Sequence, residues 1–249
     1  MFNREKILYE GDTEFAHYQV IEMVYEGRKA RVLFTGKRDA AFSGIPLDDQ
    51  HHLLFDYIQR FYELTCQTRP RNLLMIGGGT YTLPTALLYA LPDITIDAVE
   101  IDPGLDRIAE AYFGLTPNPR LNIIHGDGVD YIRTNRKKYD MIIIDAFDDL
   151  KIPENFAKDE TAAAISASLS SKGILAMNVI SSYYGRNAAA IEGLQDEYDP
   201  HFKHLGVYPA DTGTSLWMSQ NLLLVGQKSG KKKEYGLRFG ELGLSNLIK

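Results

Sequence analysis

Residues 73–79, Leu-Leu-Met-Ile-Gly-Gly-Gly, constrain this 249-residue chain more than any other stretch. A short apolar run that stops on glycines is how a buried strand hands over to a nucleotide-binding turn. The side chains of Leu73 to Ile76 suit a strand covered on both faces, and glycine lets the following backbone approach a ligand with no Cβ in the way. A second apolar run, Ile94 to Ile101, carries Glu100 about 21 residues beyond Gly79, the spacing at which a second strand offers a carboxylate to a ribose diol.

A glycine turn and an acidic strand end serve NAD enzymes and adenosyl-nucleoside enzymes alike, so the turn must separate them. A dinucleotide fingerprint needs Gly-x-Gly-x-x-Gly; here Gly77-Gly78-Gly79 is followed by Thr80, Tyr81 and Thr82, and Thr82 stands where the third glycine belongs. This argues against NAD. From Leu73 onward strand and helix alternate: strands at 73–76, 94–100, 121–124 and 141–145, with helices at about 82–91, 103–112 and 128–134. The pattern predicts a parallel, wound α/β sheet. A helix near 158–169, a strand at 174–179, a helix near 187–197 and a closing pair of strands at 202–208 and 216–225 complete it.

Residues 5–35 alternate apolar and polar positions, broken at Glu10-Gly11-Asp12 and Glu26-Gly27-Arg28, which reads as a small antiparallel sheet of hairpins. Asp49 to Cys66 places Leu53, Leu54, Tyr57, Ile58, Phe61 and Leu64 at helical spacing. The expected division is an N-terminal β-hairpin domain at 1–48, a Rossmann-like nucleoside-binding domain at 49–227, and a basic linker with an apolar tail at 228–249.

The single Cys66 excludes a disulfide framework. With no apolar stretch near 18 residues and no charged-then-apolar leader, the expectation is a cytoplasmic chain without a membrane span. A formal net charge of −6 argues against nucleic acid and suits a cationic small substrate. His51-His52 lacks further ligands at metal spacing, so no metal is expected. Neither Gly-x-Ser-x-Gly nor a glycine loop ending Gly-Lys-Ser/Thr is present, which sets aside those hydrolases and P-loop proteins.

Ligands of open parallel sheets sit outside the carboxyl ends of the strands. This chain puts an acid or a glycine at each successive end: Gly77 to Gly79, Glu100 and Asp102, Gly126-Asp127-Gly128, and Asp145. Asp127 can accept from an exocyclic amine such as adenine N6, or cap the next helix. Asp145, Asp148 and Asp149 lie within five residues. Such carboxylates can hold a substrate amine and take its proton, or Asp148 and Asp149 can be loop acids in water.

Taken in order, Tyr18-Gln19, Gly77-Gly78-Gly79, Val99-Glu100-Ile101-Asp102, Gly126-Asp127-Gly128, Asp145-x-x-Asp148 and Tyr208-Pro209 make the chain resemble the polyamine aminopropyltransferases, the spermidine synthase family, over about residues 7–226. The resemblance implies a methyltransferase-like α/β domain behind a small N-terminal antiparallel β-sheet domain, and a homodimer paired through the N-terminal sheets. It implies that Gly77, Gly78, Gly79, Thr80, Glu100, Ile101, Asp127 and Gly128 hold decarboxylated S-adenosylmethionine or S-adenosylmethionine, Glu100 at the ribose and Asp127 at the adenine. Asp145 is then the base that deprotonates a diamine such as putrescine, Asp148 and Tyr208 position that amine, and Tyr18 and Gln19 close the pocket.

The chain departs from the family pattern at Thr80, where the family carries an aspartate for the aminopropyl ammonium, and at residues 49–55, where a tyrosine and a histidine are missing. The forms Gly-Gly-Gly-Thr-Tyr-Thr and Asp-Ala-Phe-Asp-Asp look closer to a divergent spermidine synthase-like branch. Two other readings therefore stand beside the aminopropyltransferase: an S-adenosylmethionine-dependent methyltransferase, and a nucleoside-binding protein without turnover.

Overall fold

The computed structural model describes residues 5–36, 41–49, 52–147, 151–211 and 213–230. Four strands, β1 (Lys6–Asp12), β2 (His17–Tyr25), β3 (Arg28–Thr35) and β4 (Ala41–Pro46), form an antiparallel sheet in chain order. Glu26 and Gly27, both at positive φ (49° and 84°), make the two-residue turn between β2 and β3. Paired positive φ values match the right-handed twist of the flanking strands. The expected break at Glu10-Gly11-Asp12 does not occur: β1 runs through it, pairing Gly11 with Tyr18, and the chain reverses at Thr13–Ala16, closed by Thr13 N–H donating to Ala16 O at 2.9 Å.

The larger sheet has seven strands. In chain order they are β5 (Asn72–Ile76), β6 (Thr95–Glu100), β7 (Leu121–His125), β8 (Tyr139–Ile144), β9 (Leu169–Ser181), β10 (His204–Pro209) and β11 (Gln220–Gln227), arranged β10-β11-β9-β8-β5-β6-β7. All neighbours are parallel except β11, which is antiparallel to both β9 and β10. The order reverses between β5 and β8, so helices cover both faces and every central strand is buried twice. Along β8, Ile142 and Ile144 pack with Val129, Ile165 and Leu194 on one side, while Met141 and Ile143 pack with Phe61, Leu64 and Leu87 on the other. That double burial is why the strands read as unbroken apolar runs and not as alternating ones.

The helices are α1 (Asp56–Thr68), α2 (Thr82–Ala90), α3 (Gly104–Tyr112), α4 (Gly128–Thr134), α5 (Asp159–Ser168) and α6 (Ala189–Tyr198). Among the described residues none is long and apolar enough to cross a membrane. Helix α1 begins at Asp56, well after the Asp49 that its apolar spacing predicts. Leu53 packs into the core over α1 and α2, and the adjacent Leu54 packs into the separate cluster with Ile21 and Val32. One face of a helix cannot bury neighbours in two different cores, so the helix starts only after Phe55, which caps it in extended conformation at φ −100° and ψ 138°. The tail expectation falls largely outside the described residues, which end at Gly230.

Candidate active site

The switch in strand order between β5 and β8 opens a crevice at the carboxyl ends of the parallel strands, the place where open α/β sheets bind ligands. A cavity of about 1570 Å³ lies there. It exceeds the roughly 300–1,000 Å³ of a pocket for one small ligand. The N-terminal sheet roofs it: Tyr18 of β2 and Phe42 of β4 line the cavity with ring centroids 6.1 Å apart, and the Phe42 ring reaches Gly79.

The glycine turn and the strand ends lock together through the backbone. Gly77 N–H donates to Val99 O at 2.9 Å, Asp145 N–H to Ile76 O at 2.8 Å, and Gly126 N–H to Glu100 O at 3.0 Å. Gly77 sits at φ +83°, and a Cβ there would lie 2.1 Å from the Asp145 carbonyl oxygen. The turn and the acid thus come closer than any other residue type permits.

Glu100 is 5% exposed at the tip of β6. Its Oε2 accepts from Gly79 N–H at 2.8 Å and its Oε1 from Asp102 N–H at 3.0 Å. Burial raises its pKa while these amides oppose the rise. Asp127 caps α4, its Oδ1 accepting from Val129 and Asp130 N–H at 2.8 and 2.9 Å, and it also lines the cavity. Ile101 and Gly128 line it too.

Asp145 stands just past β8 on the cavity wall. Burial pushes its carboxyl up to about 6, nearby Glu100 adds to the rise, and hydrogen bonds from Asn178 and Tyr57 oppose it. Asn178 Nδ2 donates to Asp145 Oδ1 at 3.1 Å. The Tyr57 hydroxyl, its pKa raised by burial and by Asp145, stays protonated. Neither partner stands out in the sequence, and the pattern shows why: Tyr57 fits the apolar spacing of α1, and Asn178 lies inside the apolar run of β9. A polar residue in the middle of a doubly buried strand is the one signal the sequence offers for Asn178.

Tyr18 is 4% exposed, and its hydroxyl is bonded to Asp102. Asp102 also accepts from Thr13 Oγ1 at 2.6 Å and from Gly104 N–H at 2.8 Å, so the β1–β2 turn is fastened to the end of β6. Gln19, one residue on, faces the other way, and its Nε2 donates to Glu10 Oε1 at 2.8 Å across the hairpin. It is not among the residues lining the cavity. Nor is Thr80, which is buried and shares a 2.5 Å hydrogen bond with Ser43. Tyr208 lies back along β10 over Gly206, where a Cβ would stand 2.9 Å from its hydroxyl, and packs on the core. Asp148 and Asp149 lie outside the described residues.

The departure from the glycine fingerprint has a structural counterpart. Tyr81 takes the left-handed conformation (φ 57°) at the start of α2, where its ring covers Gly78 and its hydroxyl donates to Asp106 Oδ1 at 2.7 Å. A non-glycine residue there costs about 1–2 kcal/mol. Full burial of the ring and the bond to Asp106 offset it.

Residues 60–196 match the spermine/spermidine synthase domain. The chain belongs to the spermine/spermidine synthase family. It is 30% identical over 221 residues to a polyamine aminopropyltransferase of Vibrio vulnificus, covering 85% of this chain and 72% of that one. Membership of the family makes the protein a spermidine synthase-like transferase. A probable spermidine synthase from Corynebacterium glutamicum superposes with a TM-score of 0.79 at 18% identity, over 91% of this chain and 82% of that one. Human methyltransferase-like protein 13, solved in complex with SAH, superposes with a TM-score of 0.62 at 23% identity, over 73% of this chain and 86% of that one. The α/β architecture is thus methyltransferase-like, and the small antiparallel sheet is an N-terminal addition to it.

Proposed function

We propose that this family member transfers an aminopropyl group from decarboxylated S-adenosylmethionine to an amine, with Asp145 as the base. One observation carries the choice of donor: the described cavity lining holds seven carboxylates and neither lysine nor arginine. Such a wall favours a donor and an acceptor that bring cations only, and it disfavours a donor carrying its own carboxylate.

In this reading Glu100 accepts from the ribose hydroxyls, and Asp127, with Oδ1 committed to the helix cap, offers Oδ2 to the adenine amine. Asp145 takes a proton from the acceptor, leaving a neutral nitrogen whose lone pair attacks the methylene beside the sulfonium. The new C–N bond forms as the C–S bond breaks, and the sulfur keeps the electron pair as a neutral thioether. A base near neutrality suits this step, because it must be free at working pH and still bind a proton. The test is mass spectrometry of the purified protein with decarboxylated S-adenosylmethionine and a panel of diamines. An aminopropylated product is expected; none across the panel, or tighter calorimetric binding of intact S-adenosylmethionine, overturns the reading.

The Tyr57 contact makes a separate prediction. Activity needs the Asp145 carboxylate, so kcat/KM is expected to fall as pH drops through about 6. The Tyr57 hydroxyl favours the charged form, so Tyr57→Phe should move this acid limb to higher pH. A pH profile of kcat/KM checks it, and a limb that stays put or moves down refutes the contact.

A further inference from the structure

Asn178 stands between Ala176 and Ile180 on one face of β9, 1% exposed, on the cavity wall beside Asp145. Only one end of its carboxamide is satisfied. Nδ2 donates to Asp145 Oδ1 at 3.1 Å, while Oδ1 of Asn178 is buried with no partner among the described residues. An ionised carboxylate only accepts, so the amide hydrogens face it and the carbonyl is the end left open. A buried carbonyl oxygen without a donor is costly to the fold, and a leucine of similar size would carry no such cost. The oxygen is therefore matched to a donor that a ligand brings. Asp145 has room for the same ligand: with Asn178 and Tyr57 as its donors, a carboxylate with about four lone-pair sites still accepts more.

The nitrogen that attacks in the transfer reading is such a ligand. A primary ammonium gives one proton to Asp145 and keeps two N–H bonds and a lone pair. The lone pair freed in this way points at Asp145, so the nitrogen must turn toward the methylene beside the sulfonium before it attacks. A second fixed contact keeps it in reach while it turns, as near-attack geometry requires. Asn178 Oδ1 supplies that contact by accepting one of the remaining N–H bonds. It shares a carbon with the Nδ2 that touches Asp145, so the pivot sits next to the base. The C–N bond then forms as the C–S bond breaks, the sulfur keeps the electron pair, and the nitrogen ends as a secondary ammonium with both hydrogens retained.

We infer that Asn178 positions the acceptor nitrogen through its carbonyl oxygen, in addition to donating to Asp145. This rests on the aminopropyl-transfer reading above. Asn178→Leu separates the two ends of the side chain. Loss of Nδ2 removes a bond that favours the charged form of Asp145, so the acid limb of kcat/KM moves to higher pH. Loss of Oδ1 lowers kcat by about 10–100-fold on the plateau above that limb, where Asp145 is ionised in both proteins, with nucleoside affinity unchanged. A wild-type kcat reached on a plateau at higher pH means that Asn178 acts on the base alone, and overturns the inference. A second measurement takes the base away: calorimetry of putrescine, with methylthioadenosine present, in Asp145→Asn and in Asp145→Asn/Asn178→Leu. Binding should be about 5–10-fold weaker in the double variant. A side chain that only orients Asp145 would leave it unmoved, so equal binding, or none in either variant, overturns the contact. Asn178→Ala, smaller than the native residue, replaces Asn178→Leu in both measurements if the leucine variant does not fold. Should no amine be turned over, the transfer reading falls by itself, and the calorimetry decides the contact by the same outcomes.

Discussion

Asp145→Asn is expected to lower kcat by about 10²–10⁴-fold, the range for loss of a positioned acid–base group, while nucleoside affinity stays near that of the wild type. The substitution keeps the size and shape of the side chain, so the backbone contacts of Asp145 to Ile76 and Gly77 persist. What is lost is proton affinity. The carboxyl of Asp145 is pushed up to about 6 by burial and by Glu100, and an amide offers the incoming ammonium no comparable acceptor. Single-turnover measurement with saturating donor separates this from weakened binding. A variant retaining a tenth or more of the wild-type rate would falsify the assignment of the base.

Gly77→Ala should be the most damaging single change in the nucleoside turn. Two costs add: alanine in the left-handed region costs about 1–2 kcal/mol, and overpacking against a rigid neighbour about 1–3 kcal/mol. The neighbour is the Asp145 carbonyl oxygen, 2.1 Å from the added Cβ. Asp145 cannot retreat without breaking its bond to Ile76. At the ~2–4 °C per kcal/mol usual for chains of this size, the midpoint of thermal unfolding should fall by about 10 °C. If Asp145 is the base as proposed, activity should fall with it, since the shift displaces Asp145. A Gly77→Ala protein with the wild-type Tm and rate would show that the turn and the acid are not in contact.

Most of the large sheet was legible in the sequence because strands buried on both faces read as apolar runs, those from β5 to β8 ending on an acid or a glycine. The N-terminal sheet was legible only in part. The strand at Ala41–Pro46 is six residues long and holds Gly44 and Pro46, residues that ordinarily interrupt strands. The start of α1 was misplaced because helical spacing at Leu53 and Leu54 does not reveal that the two side chains enter different cores. In the cavity, acids at strand ends could be found from position alone. Tyr18 and Gln19 could not be separated without the register that sends neighbours to opposite faces, and Tyr57 was hidden in the apolar pattern of a helix. The motif alone places Thr80 at the ligand, whereas its surroundings are set by Ser43, 37 residues earlier.

That pairing of Thr80 with Ser43 reassigns a task. Thr80 is 1% exposed and off the cavity wall, its hydroxyl held by Ser43, so a carboxylate at position 80 would take the place of that bond in a buried setting. In the aminopropyl-transfer reading, the turn therefore meets the donor through its backbone and brings no side-chain charge of its own. In that reading, discrimination by the charge of the donor's tail falls to the other carboxylates of the crevice, and position 80 is free to vary without disturbing them.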